Sequence, residues 1–118
     1  MLDHVNITVT DVARSRAFYD HALAPLGLRS LDADDDGALY GVTAACFVIG
    51  GGSKPTPVHI GFKAASRAAV DAFHKAGLEA GGRDHGAPGL RPQYGAHYYA
   101  AFILDPDGHN IEAVCTKG

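Results

Sequence analysis

Two histidines and one glutamate carry the chemistry of this sequence, each set in the alternating pattern of a half-buried strand: His4-Val5-Asn6-Ile7-Thr8-Val9, Val58-His59-Ile60-Gly61-Phe62 and Asn110-Ile111-Glu112-Ala113. Successive residues of a strand point to opposite faces. His4 therefore shares a face with Asn6 and Thr8, His59 with Gly61 and Lys63, and Glu112 with Asn110, while the apolar neighbours occupy the other faces. Two neutral imidazoles and a carboxylate suit Fe2+, Mn2+, Co2+, Ni2+ or Zn2+, and three protein ligands leave positions open for water or substrate oxygens. A divalent metal on His4, His59 and Glu112 is the expected cofactor. The competing reading is that these histidines only form hydrogen bonds.

The elements that must position the trio repeat. Phe18 and Phe73 follow His4 and His59 at the same offset, which marks an internal duplication. In the first copy a strand over 4–9 leads to a helix capped by Thr10 or Asp11, with Val12, Ala13, Phe18, Ala22 and Leu23 on its face, stopped by Pro25 and Gly27. Short strands are expected near 28–33, 37–43 and 45–49. The acidic run Asp32 to Asp36 between the first two reads as a solvated hairpin turn. Gly50-Gly51-Gly52-Ser53-Lys54-Pro55-Thr56-Pro57 is linker-like, so one domain is expected, with module one at 1–50, a linker at 51–56 and module two at 57–118. The second copy has a strand near 57–63, a helix capped by Ser66 and ended at Gly77, and strands near 79–83, 97–104 and 109–115. Between the strands expected at 79–83 and 97–104 lies a Gly- and Pro-rich stretch, 85–96, long enough to cover a binding site.

Secondary candidates surround the trio. His97 and Tyr99 share parity on the expected 97–104 strand, which makes His97 a candidate general acid or base. Arg91 and Tyr94 in the long stretch, with Tyr99, are the expected substrate contacts, suited to an anionic or aromatic molecule. His109 is expected to be solvated in its turn, and His21 and His74 exposed on helices. Cys46 and Cys115 read as small core residues.

Composition narrows the classes. Ten Lys plus Arg against thirteen Asp plus Glu in 118 residues give a formal charge of −3 with no basic stripe, which argues against nucleic-acid binding. No run approaches the ~18 apolar residues of a membrane span, so a cytoplasmic location is expected.

On Asp3-His4-Val5, Ser15-Arg16-Ala17-Phe18-Tyr19, Leu26-Gly27 and above all Asp105-Pro106-Asp107-Gly108-His109-Asn110-Ile111-Glu112, the chain resembles the vicinal oxygen chelate superfamily, which includes glyoxalase I, extradiol dioxygenases and bleomycin- and fosfomycin-resistance proteins. The resemblance implies an α+β fold of two βαβββ modules whose curled mixed sheets enclose a central cavity. His4 then matches the first-strand ligand, His59 its counterpart in module two and Glu112 the last-strand carboxylate. A small-molecule substrate and a homodimer are implied as well. The chain departs from the pattern at Ala45-Cys46-Phe47-Val48-Ile49, which offers no carboxylate for glyoxalase I's fourth ligand, and at Phe102, where extradiol dioxygenases carry tyrosine. A metal-dependent lyase, isomerase or dioxygenase is expected; the alternative is a non-catalytic binding protein of the bleomycin-resistance type.

Overall fold

The computed structural model describes all 118 residues. Its elements run β1 (Val5–Val9), α1 (Val12–Ala22), a 3-10 turn (Ala24–Leu26), β2 (Arg29–Asp34), β3 (Gly37–Gly41), β4 (Ala45–Gly51), β5 (His59–Lys63), α2 (Arg67–Glu79), β6 (Arg83–Leu90), β7 (Tyr99–Leu104) and β8 (Asn110–Cys115). Two four-stranded mixed sheets result, ordered β1-β4-β3-β2 and β5-β8-β7-β6. In each, the first strand of a βαβββ module pairs in parallel with its last, and the remaining pairs are antiparallel.

Local chemistry sets the helices. Asp11 accepts a hydrogen bond from the Arg14 backbone N–H, and Ser66 from that of Ala69, so each helix has a side-chain N-cap. Thr10 turns instead to Asp107, which accepts from both its backbone N–H and its hydroxyl. α2 does not stop at Gly77; it runs to Glu79 and ends where Gly81 takes a positive φ of 94°, a conformation glycine adopts without strain.

Both helices pack on one face of their sheets, and the two modules share a single core. Phe18, Tyr19 and Leu23 of module one and Val70, Phe73 and Ile103 of module two are all fully buried in it. Phe47 meets Phe62 across the module boundary, edge to face at 5.2 Å between ring centres. The opposite sheet faces are left open, with Asn6 and Thr8 exposed on the first and His59, Gly61 and Lys63 on the second.

The first half of the stretch expected as a loop over 85–96 is strand. β6 covers 83–90, replacing the short strand expected at 79–83, and its pairing with β7 skips at Gly86 and again before Gly89. As the edge strand it accommodates Pro88, whose missing N–H costs no ladder bond when it faces outward. The irregular segment that remains is 91–98. No helix is long and apolar enough to cross a membrane.

Candidate functional site

Parallel pairing of β5 with β8 puts His59 opposite Asn110 and Gly61 opposite Glu112. His59 and Glu112 share the open face of the second sheet, and the imidazole Nε2 stands 2.8 Å from Glu112 Oε1. The carboxylate is sunk, its side chain 6% exposed, whereas the imidazole is 52% exposed at the mouth. A buried carboxylate is costly unless its oxygens are hydrogen-bonded, and here both are. The Tyr98 hydroxyl donates to Oε2. That hydrogen bond, reinforced by partial burial and the carboxylate's charge, pushes the Tyr98 phenol up to about 12.

An aromatic and cationic wall flanks the pair. Phe102 is the β7 register partner of Glu112, and its ring centre lies 6.0 Å from that of His59. The Arg91 guanidinium sits 5.4 Å over the Phe102 ring while donating to the backbone carbonyls of Gly89 and Ala87, each at 2.8 Å. Tyr94 packs edge-on against Tyr98 at 5.4 Å. Arg91 and Tyr94, read from the sequence as substrate contacts, thus pack on Phe102 and Tyr98, the neighbours of His59 and Glu112.

The other candidates lie elsewhere. His4 precedes β1 and bonds Asp3 through Nδ1 at 2.7 Å. It lines a groove of about 400 Å³ with Cys46, Phe47, Ile60, Gly61 and Lys63 at the junction of the modules. No three His, Cys, Asp or Glu side chains converge as a metal site within one chain. The reason is architectural: the modules pack through their helix-bearing faces, so His4 and His59 belong to the open faces of two different sheets.

His97 occupies a turn rather than a strand, its ring against the C-terminal Gly118. Tyr99 faces the helix side, donating to Asp71 of α2 at 2.6 Å beneath the Arg67 guanidinium. The expected strand started two residues early, at 97, and the parity drawn from it selected Tyr99 where the structure places Tyr98. The signal was present: counting back from the Asp105–Gly108 turn pairs Phe102 with Glu112, and residue 98 shares the parity of 102.

Three further expectations are corrected. His109 is not solvated but buried, its Nδ1 accepting from the Val58 N–H at 3.1 Å and its Nε2 donating to the Thr8 carbonyl at 2.8 Å. The His74 side chain is only 12% exposed and pairs with Asp84 at 2.8 Å, holding that carboxyl below its ordinary range. Cys46 is exposed because its position on β4 shares the open face with Val48, whereas Cys115 is buried.

The donor chemistry fits a divalent cation in part. His59 Nε2 and Glu112 Oε1 already aim at one another and are two suitable ligands; a third must come from outside the pair.

A sequence profile described as the Glyoxalase/Bleomycin resistance protein/Dioxygenase superfamily matches residues 1–113. Among solved structures, the chain is similar to a glyoxalase/bleomycin resistance protein from Albidiferax ferrireducens T118, with 33% identity, 99% of each chain covered and a TM-score of 0.87. At the level of fold it is similar to a glyoxalase/bleomycin resistance protein/dioxygenase family enzyme from Burkholderia phytofirmans PsJN, at 19% identity, 97% coverage of each chain and a TM-score of 0.76. The fosfomycin resistance protein FosX from Mesorhizobium loti shares the fold too, at 18% identity and a TM-score of 0.71, with 99% of this chain and 92% of that one covered. No curated protein matches the chain.

Proposed function

Because the chain belongs to the Glyoxalase/Bleomycin resistance protein/Dioxygenase superfamily, we propose that it is a metal-dependent enzyme acting on a small molecule with two neighbouring oxygen atoms. His59 and Glu112 of one copy, with His4 of a second copy, would hold the cation. The observation that carries this reading is the His59–Glu112 pair, a sunk carboxylate and a histidine at its mouth beside an aromatic wall. A bound divalent cation supplies Lewis-acid stabilisation of a developing oxyanion, as in a lyase, isomerase or dioxygenase. Phe102 and Tyr94 offer the substrate apolar surface, and the Arg91 guanidinium, fixed by two carbonyls and paired with no carboxylate, orients an anionic or electron-rich group. His97 makes no hydrogen bond in the chain, and a role for it in proton transfer requires the substrate to reach the turn that holds it.

A second copy accounts for what one chain leaves open. Register puts Asp32 and Asp34 on the open face of the first sheet and Lys63 and Arg83 on that of the second. Opposite charges on two uncovered faces favour reciprocal face-to-face pairing about a two-fold axis. Such a homodimer brings His4 of one copy towards His59 and Glu112 of the other.

Elemental analysis of protein purified without a histidine tag tests this. About one divalent ion per chain is expected, lost in His59→Ala, Glu112→Ala and His4→Ala alike. Equal mixing of unfolded His4→Ala and Glu112→Ala chains, then refolding, regenerates one intact site in each mixed dimer; no recovery of metal in the mixture rules out the shared site. Metal-free wild-type protein, even after incubation with Fe2+, Mn2+, Co2+, Ni2+ and Zn2+, sinks the enzyme reading. It would favour the second reading, non-catalytic small-molecule binding, whose support is that only two of the three ligands meet within a chain.

A further inference from the structure

We propose that Tyr98 is a positioning residue for Glu112: its hydroxyl ties down Oε2, so that Oε1 alone is presented to His59 and to the cation the pair would share. The proposal rests on the metal-dependent reading above and assigns a task to a residue outside the ligand set. Its basis is the division of labour between the two carboxylate oxygens, Oε1 on the imidazole and Oε2 on the phenol. A carboxylate held this way is a one-oxygen ligand, which keeps coordination positions free for two substrate oxygens. A carboxylate free to turn can close on a cation with both oxygens and fill one of them.

The segment that delivers Tyr98 is built to hold it still. Within 91–98 the Arg91 N–H donates to the Tyr98 carbonyl at 2.7 Å, the Tyr94 N–H to the Arg91 carbonyl at 2.9 Å and the Tyr98 N–H to the Gly95 carbonyl at 3.3 Å. Arg91, at the start of the segment, is anchored to the carbonyls of Ala87 and Gly89 on β6 and lies over Phe102, the residue next to Glu112 across the sheet. The Tyr94 ring backs the Tyr98 ring. Groups that orient a metal ligand from behind alter metal affinity by about 10- to 100-fold when removed, far more than the loss of an ordinary surface hydroxyl.

The test uses the full chain, with Mn2+ and Co2+ as probes and the thermal midpoint recorded alongside. Tyr98→Phe is expected to weaken Mn2+ binding about 10- to 100-fold and to lower the intensity of the visible Co2+ bands, as Glu112 turns to chelate with both oxygens. Tyr99→Phe, which removes a neighbouring hydroxyl bound to Asp71 on the other face, leaves Mn2+ affinity within about twofold. A second readout needs no variant. The Tyr98 hydroxyl proton of the wild-type protein is expected to exchange slowly in the NMR spectrum both before and after a diamagnetic Zn2+ ion is added. Wild-type binding with Tyr98→Phe unchanged, or loss of that protected proton on Zn2+ loading, overturns the assignment and leaves the metal reading standing. Failure of the wild-type protein to bind any of the three ions overturns both.

Discussion

At the scale of the residue, His109 shows how a histidine in a signature-like turn can be structural. Its Nδ1 accepts from the Val58 N–H, so the single ring proton of the neutral imidazole sits on Nε2 and is donated to the Thr8 carbonyl. The side chain thereby joins the start of β5 to the end of β1, and Asp105 fixes the turn by accepting from the backbone N–H groups of Asp107 and His109. Removing the ring opens a gap where a buried side chain stood and leaves the partly buried Val58 N–H and Thr8 carbonyl without their partner. His109→Ala should therefore cost about 2–4 kcal/mol in urea unfolding. By contrast His21→Ala, which removes an exposed ring 3.7 Å from Glu79, should change stability by less than about 0.5 kcal/mol. Similar losses in the two variants would show that the His109 bridge contributes nothing. The sequence could not assign His109 this role, because Val58 and Thr8 are distant along the chain. Glu112 and His59 were legible because strand alternation is local, and their meeting needed only that β5 and β8 pair.

At the scale of the element, α2 turns on one close approach. Gly77 lies inside the helix, buried, and a Cβ there would stand 2.5 Å from Ile103 Cδ1 and 3.5 Å from its Cγ atoms. Helix propensity favours alanine over glycine by about 1 kcal/mol. Ile103 is fully buried and has little room to turn aside, and overpacking of a core typically costs about 1–3 kcal/mol, so the clash outweighs the propensity gain. Gly77→Ala is expected to destabilise the wild-type chain. In an Ile103→Val background, which removes the offending methyl, the same change is expected to stabilise by up to about 1 kcal/mol. Thermal or urea unfolding of the four proteins closes the cycle, and a Gly77→Ala effect of one sign in both backgrounds would refute the steric account. The glycine that reads as a helix stop is thus a packing residue, and Gly81 ends the helix. β6 was hidden for a related reason: Gly86, Pro88 and Gly89 are turn residues by composition, but an edge strand tolerates both the proline and the register skips. β6 absorbs half of the apparent loop, β7 begins at Tyr99, and its neighbour Tyr98 is the residue that reaches Glu112.

At the scale of the whole molecule, one phenol joins the two modules and a second braces module one, and both must stay uncharged. Tyr19 on α1 donates its hydroxyl to Asp105 of module two, and Tyr40 donates to Asp20. Burial is the leading cause in both cases, followed for Tyr19 by the charge of Asp105 and for Tyr40 by its hydrogen bond to Asp20, and both phenols are pushed well above their ordinary range. In the unfolded chain a tyrosine ionises near pH ~10. Below that pH both states hold the proton and the stability these hydroxyls confer is fully present. Above it the unfolded chain releases protons that the folded chain retains, so stability must fall as pH rises towards the folded values, by up to about 1.4 kcal/mol per pH unit for each tyrosine. Because the core is continuous across the module boundary, this loss should appear as a shift of one cooperative transition rather than as the melting of one module. Urea unfolding between pH 8 and pH 11 should show a plateau followed by a decline. Tyr19→Phe should be less stable at pH 8, since Asp105 loses a buried donor, and should decline less steeply above pH ~10 because one of the linked protons is gone. Parallel curves for the variant and the wild-type chain would mean that Tyr19 ionises as readily in the folded state as in the unfolded one, and that the module joint does not depend on its proton.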